Sequence, residues 1–206
     1  MRRFVALFFA LLLLAVTSVS AATVAAGSVD PSTLTPPPPA EFNPACERIG
    51  NQIICEVAFS DPPILEEPSG VICGTTELLF SQTRSVVGKR FYSADGFLLR
   101  RHFHDKVSGA WTNPLTGDSL LLAGGFAYLH DLGTPGEISS GTTQITGSVR
   151  IYSAAGRTIL HGDAGRLVID EATETTLSES GQHPFEDYFA HGDLTALQPL
   201  CAALGL

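Results

Sequence analysis

The order of apolar and polar positions divides this chain into an apolar start, a proline-rich stretch and a long series of short alternating runs. After Met1-Arg2-Arg3, Phe4 to Val16 is uninterrupted apolar sequence, and Ser20-Ala21-Ala22 offers the small residues a signal peptidase accepts. Residues 1–22 are therefore expected to be an export signal. As a helix the apolar run would reach only about 20 Å, short of a hydrocarbon core of roughly 30 Å. No later run is long and apolar enough to predict a span. From Thr23 to Ala45 the chain holds six of its 13 prolines, including Pro36 to Pro39. A disordered, extended spacer is expected over 23–45.

From Val71 to Leu177 the pattern is that of antiparallel strands, with no long stretch of helical period. Strands are predicted over Val71–Phe80, Ser85–Tyr92, Phe97–Val107, Ser119–His130, Thr143–Tyr152, Arg157–His161, Arg166–Asp170 and Thr173–Leu177. Ala94-Asp95-Gly96, Asn113-Pro114-Leu115-Thr116-Gly117, Ala154-Ala155-Gly156 and Gly162-Asp163-Ala164-Gly165 supply turn chemistry between them. The fold class expected is all-β: an antiparallel meander closing into a small β-barrel of about eight strands, which hides its edges, with a two-layer β-sandwich as the alternative. After a cap at Asp193, the tract Leu194 to Leu204, interrupted by Pro199, reads as a short C-terminal helix. A barrel domain over 71–206 then follows a linker at 60–70, marked by Asp61-Pro62-Pro63 and Pro68-Ser69-Gly70.

Ahead of that linker, residues 46–59 read as a hairpin. Gly50-Asn51 suits a two-residue turn between Ile49 and Gln52. Counting outward places Cys46 opposite Cys55 in a non-hydrogen-bonded pair, the closer of the two spacings and one a disulfide can span. Cys73 is left to pair with Cys201. In an exported chain disulfides outweigh metal ligation, and no C-x-x-C spacing occurs.

The charge balance narrows the partners. With 12 basic and 21 acidic residues the formal charge is −9, becoming −11 if Arg2 and Arg3 leave with the signal. Nucleic acid is an unsuitable partner for so acidic a body. Six basic residues nevertheless gather between Arg84 and Lys106 against only Asp95 and Asp105. If neighbouring strands bring them together, a basic ridge able to meet an anion or an acidic partner is expected.

The candidate chemistry is sparse. In Phe97–Val107 the face carrying Phe97, Leu99, Arg101, Phe103, Asp105 and Val107 is taken as the inner one, so Arg101 and Asp105 interrupt an apolar wall. Buried charges demand partners, and these two are the candidate ligand-binding residues, contacting a polar ligand or pairing with each other or with neighbours. His102 and His104 share the opposite face at a spacing two imidazole ligands on a strand would use, but Arg100 and Lys106 beside them repel a cation and no third ligand is identifiable. No metal or cofactor site is therefore expected. No G-x-S-x-G, Walker, H-E-x-x-H or EF-hand motif is present, and Glu171 with Glu174 is not placed across any cleft by the sequence.

Val71-Ile72-Cys73-Gly74, Phe91-Tyr92-Ser93-Ala94-Asp95-Gly96, Trp111 to Gly117, Gly162 to Arg166 and Leu200-Cys201-Ala202-Ala203-Leu204 together resemble a group of uncharacterised secreted proteins of high-GC Gram-positive bacteria. The likeness covers roughly residues 70–205. It implies a small exported β-barrel and carries over no catalytic residue. The expected function is a secreted, disulfide-stapled, monomeric module binding a small molecule or a cell-surface partner without chemistry. The alternatives are a cyclase- or isomerase-like barrel enzyme and a structural module of the cell envelope.

Overall fold

The computed structural model describes residues 27–153, 159–183, 192 and 195–206. The expected export signal and the Asp193 cap lie outside the described residues. Ten strands form one antiparallel sheet: β1 (Gly27–Ser28), β2 (Ala45–Ile49), β3 (Gln52–Ser60), β4 (Ile64–Cys73), β5 (Thr76–Ser93), β6 (Leu98–Thr112), β7 (Ser119–Asp131), β8 (Thr142–Tyr152), β9 (Ile159–Asp170) and β10 (Thr175–Gln182). A helix, α1 (Gln198–Ala203), follows. Among the described residues, no helix is long and apolar enough to cross a membrane.

The meander is present from β5 to β10, each strand pairing with the next. β5 organises the rest. From Leu79 to Tyr92 one edge pairs with β6, while the other edge is shared between β4, which takes its first half, and β3, which takes Ser85 to Ser93. The 46–59 hairpin is therefore part of the main sheet. Cys46 lies opposite Cys55 with Cα atoms 4.0 Å apart, bonded as expected, and Cys73 is bonded to Cys201.

Four expectations are corrected. The barrel does not close: the path of pairing ends at β1 and at β10, and among the described residues no ladder joins those ends. The composition of β10 explains it, since TTLSESGQ is exposed along its whole length and offers no apolar side to a seam. The sheet is instead open and coiled. One apolar cluster unites Val71 and Cys73 of β4 with Val149 and Ile151 of β8, which in a flat sheet would lie about 19 Å apart. Gly147, Gly165 and Gly181 face one another across β8, β9 and β10 and allow the bend. A side chain at Gly147 would put its Cβ 2.2 Å from the Gly125 carbonyl oxygen.

Secondly, residues 60–70 are no linker, because Ile64–Cys73 is strand β4, its Pro68 tolerated on an irregular edge. Thirdly, residues 27–45 are no free spacer. Leu34 is buried with Ile53, Tyr92 and Leu98, and Thr35 pairs with Phe97. Prolines have no N–H to satisfy, so Pro36 and Pro37 offer carbonyls alone, and these accept from Tyr92 Oη at 3.0 Å and Arg90 Nη1 at 3.2 Å. Fourthly, strand boundaries moved. Gly74 turns the chain within the expected 71–80 strand, while 76–93 and 159–170 run on through expected breaks. The backbone N–H and C=O groups at Gly162 to Gly165 serve the ladder rather than a turn.

The C-terminal helix packs Leu197, Leu200 and Leu204 into the cluster that holds Trp111 and Leu120. Buried Asn113 donates through Nδ2 to the Leu204 carbonyl at 3.0 Å, satisfying one of the acceptors left open at the helix end.

Candidate functional site

Strict alternation along β5 turns Arg84, Val86, Arg90 and Tyr92 toward the concave face and leaves Lys89 outside. On β6 the inward set is Arg101, Phe103, Asp105, Val107 and Trp111. The expected inner face thus holds from 101 onward. It fails at Phe97 and Leu99, because a bulge opposite Phe91 and Tyr92 slips the register, burying Leu98 completely and leaving Phe97 exposed.

Register then assembles residues far apart in sequence. Arg90, Arg101, His130 and Thr143 stand directly opposite one another on β5, β6, β7 and β8, one polar row across the sheet. Side chains so paired lie about 5 Å apart at Cβ. Below the row, Tyr128 and Asp105 face the same space. These residues line a cavity of about 470 Å³ whose apolar walls include Phe42, Phe59, Val86, Phe103, Ile145 and Ile169. Phe42, on a 3₁₀ turn over 40–42, stacks on Phe59 with ring centroids 4.1 Å apart and closes one side. A second cavity of about 400 Å³, floored by Phe80 and Trp111, shares Arg84, Asp105 and Tyr128 with the first.

Arg101 Nε donates to His130 Nδ1 at 3.0 Å, and His130 Nε2 lies 2.8 Å from the Ser140 carbonyl oxygen. A guanidinium only donates and a carbonyl only accepts, so Nδ1 carries the lone pair and Nε2 the hydrogen. Thr143 donates to Glu171, whose charge also attracts Arg101. Burial nonetheless pulls the Arg101 pKa down.

Asp105 accepts from Arg84 Nε at 2.7 Å through Oδ2, and Arg84 reaches Asp61 at 3.0 Å. Burial works against the Arg84 charge, but bonding and attraction to Asp105 and Asp61 raise its pKa above the ordinary value. The other Asp105 oxygen, Oδ1, is buried with no hydrogen-bond partner. Tyr128 is pushed up by burial and then by the Asp105 charge.

Arg90 is only partly satisfied, one nitrogen donating to the Pro37 carbonyl. It is 3% exposed, its Nε has no hydrogen-bond partner, and burial pulls its pKa down, assisted by the repulsion of Arg101 and opposed by Tyr92. Its guanidinium lies 5.7 Å from the Tyr92 ring centroid.

The two sequence candidates, Arg101 and Asp105, line this one cavity but bond to His130 and Arg84 rather than to each other. The basic ridge is not formed: Arg84, Arg90 and Arg101 turn inward, and on the outer face Lys89 bonds Glu56 at 2.8 Å and Arg100 bonds Asp131. His102 and His104 sit side by side on that outer face, ring centroids 4.7 Å apart. Among the described residues no cluster of three or more metal-ligating side chains occurs. Arg90, His130, Thr143 and Glu171 are not among the sequence candidates for a cavity: the sequence reading puts Arg90 in the basic ridge and Glu171 in a pair with Glu174. The period-two pattern of β5 placed Arg90 in phase with Val86 and Tyr92, and that signal could have found it.

No family model, no curated protein and no solved structure matches the chain. The cavity therefore carries the functional reading by itself.

Proposed function

We propose that this protein is a secreted binding module that takes one small organic molecule into the concave face of its coiled sheet and performs no chemistry on it. The observation that carries this reading is the 470 Å³ cavity in which two buried polar atoms, Arg90 Nε and Asp105 Oδ1, lack partners. Both atoms are covered by their neighbours, so a ligand reaches them by shifting the side chains over them, and it then recovers a cost on the order of 1–3 kcal/mol for each bare polar atom. A cavity of this size suits a small molecule with apolar walls and a few polar contacts. Against the isomerase-like alternative, both nitrogens of His130 are engaged, which leaves the imidazole no free lone pair for proton abstraction. Export and the likeness to secreted proteins of high-GC Gram-positive bacteria belong to the same proposal, and the two disulfides support an oxidising location.

Native mass spectrometry of the protein secreted by a host with an oxidising export route tests the reading. A stoichiometric extra mass, lost in Arg101→Met, is expected. A bare mass that stays bare after exposure to a metabolite extract overturns it.

A further inference from the structure

Among the residues that line the cavity, Arg84, Arg90 and Arg101 outnumber the two carboxylates, Asp105 and Glu171, while part-exposed Asp61 lies outside that lining. Arg84 and Asp105 neutralise each other, with Asp61 as a further partner of Arg84. Glu171, held by Thr143, attracts Arg101. That leaves Arg90, whose guanidinium is nearly inaccessible, donates one bond to the Pro37 carbonyl and forms no ion pair with any carboxylate among the described residues. The charge directly opposite it is another cation, since Arg90 and Arg101 are paired across β5 and β6 and Arg101 repels it.

A buried guanidinium without an anion is costly to keep, because the bond to Pro37 and the face of the Tyr92 ring offset only part of its removal from water. Its unpartnered Nε forms one prong of the planar fork that a carboxylate or phosphate engages with paired hydrogen bonds. Around and beyond it the surface turns apolar: Phe42, Phe59, Val86 and Phe103 on the near side, Ile145 and Ile169 across the cavity. The polar row and the apolar walls thus make two distinct subsites in one space.

We propose that the ligand is an organic anion: its carboxylate or phosphate head is seated on Arg90, opposite Arg101, and its apolar body lies against the phenylalanine and isoleucine walls. This rests on the binding reading above and specifies the chemical class that binding selects. The head supplies the missing negative charge, and the body occupies space that a hydrated inorganic ion leaves unfilled.

Calorimetric titration of the disulfide-bonded full chain with matched probes tests it: naphthoate against naphthylmethanol, octanoate against octanol, octyl phosphate for the other head group, and inorganic phosphate as a head without a body. At least one organic anion is expected to bind about tenfold or more tightly than its alcohol, and more tightly than inorganic phosphate. Arg90→Gln should abolish that preference while leaving alcohol affinity within about threefold. Should Arg90→Gln not fold, Arg90→Lys, which keeps the charge without the fork, is expected to weaken anion binding and spare the alcohols. Equal affinity for anion and alcohol, an undiminished preference in both Arg90 variants, or inorganic phosphate binding as tightly as the organic anions would overturn the assignment. Failure of every probe would overturn it too. The mass spectrum decides the binding reading separately, since a neutral copurifying molecule would sustain binding while excluding the anion.

Discussion

Arg101 and His130 hold each other in place across β6 and β7, with Arg101 Nε donating to His130 Nδ1 at 3.0 Å. Through His130 Nε2 the same ring donates to the carbonyl of Ser140, in the loop between β7 and β8. One imidazole therefore ties the wall of the cavity to a loop at its rim, and the guanidinium decides which nitrogen bears the hydrogen.

Removing that donor has a measurable cost. Arg101→Met should leave a buried ring nitrogen unpaired and lower stability in urea by about 1–3 kcal/mol. Long-range nitrogen NMR of the wild type should show His130 with its hydrogen on Nε2, and a hydrogen on Nδ1 would contradict the arrangement.

Tyr92 gives the fold a sensitivity to alkali. Burial pushes its phenol up to about 12, partly offset by the charges of Arg90 and Arg101, from an ordinary value near 10.0. The folded state thus binds the proton more tightly than the unfolded chain, so this contribution is fully present below the unfolded value and is lost as pH rises through about 12. A loss on the order of 2 kcal/mol is expected over that window. Tyr92→Phe should start about 1 kcal/mol weaker, lacking the bond to Pro36, but decline less steeply, since Tyr128 and Lys89 still contribute in that range. Urea midpoints measured across the alkaline range in both proteins check it.

The two disulfides should differ in worth. Cys73 and Cys201 are 128 residues apart, against 9 for Cys46 and Cys55. Loop entropy gives about 5 kcal/mol for the long closure and about 2.5 for the short one. Serine replacement of the first pair should lower the melting temperature more and release α1, with exchange of the Leu200 and Leu204 amides as the readout.

Gly147 tests the coiling of the sheet. In Gly147→Val the new Cβ would overlap the Gly125 carbonyl oxygen, a backbone atom that cannot swing aside as a side chain can. A loss of about 3 kcal/mol or failure to fold is expected, measured by urea denaturation. Lys89→Ala on the outer face should leave the urea midpoint unchanged.

Much of the fold was legible because its signals are local. Alternation located the strands, Gly50-Asn51 set the register that brings Cys46 to Cys55, and elimination then paired Cys73 with Cys201. The site was only partly legible. Arg101 and Asp105 showed themselves as charges on an apolar face, but Arg90, His130, Thr143 and Glu171 come together through cross-strand register, and no spacing within one strand records that. The bulge near Leu98 also defeated the pattern, since a single extra residue exchanges the two faces.

By itself, the sequence determined the all-β class, the order of the meander, the covalent frame and the inward placement of two charged residues, all of which follow from period, turn chemistry and cysteine spacing. The tertiary structure decided that the sheet stays open, that the tetraproline segment lies across it as a strap, and that one buried guanidinium stands in its cavity with no carboxylate bonded to it. Those outcomes depend on which distant strands share an edge and on which charges find partners, quantities fixed only when the whole sheet has coiled.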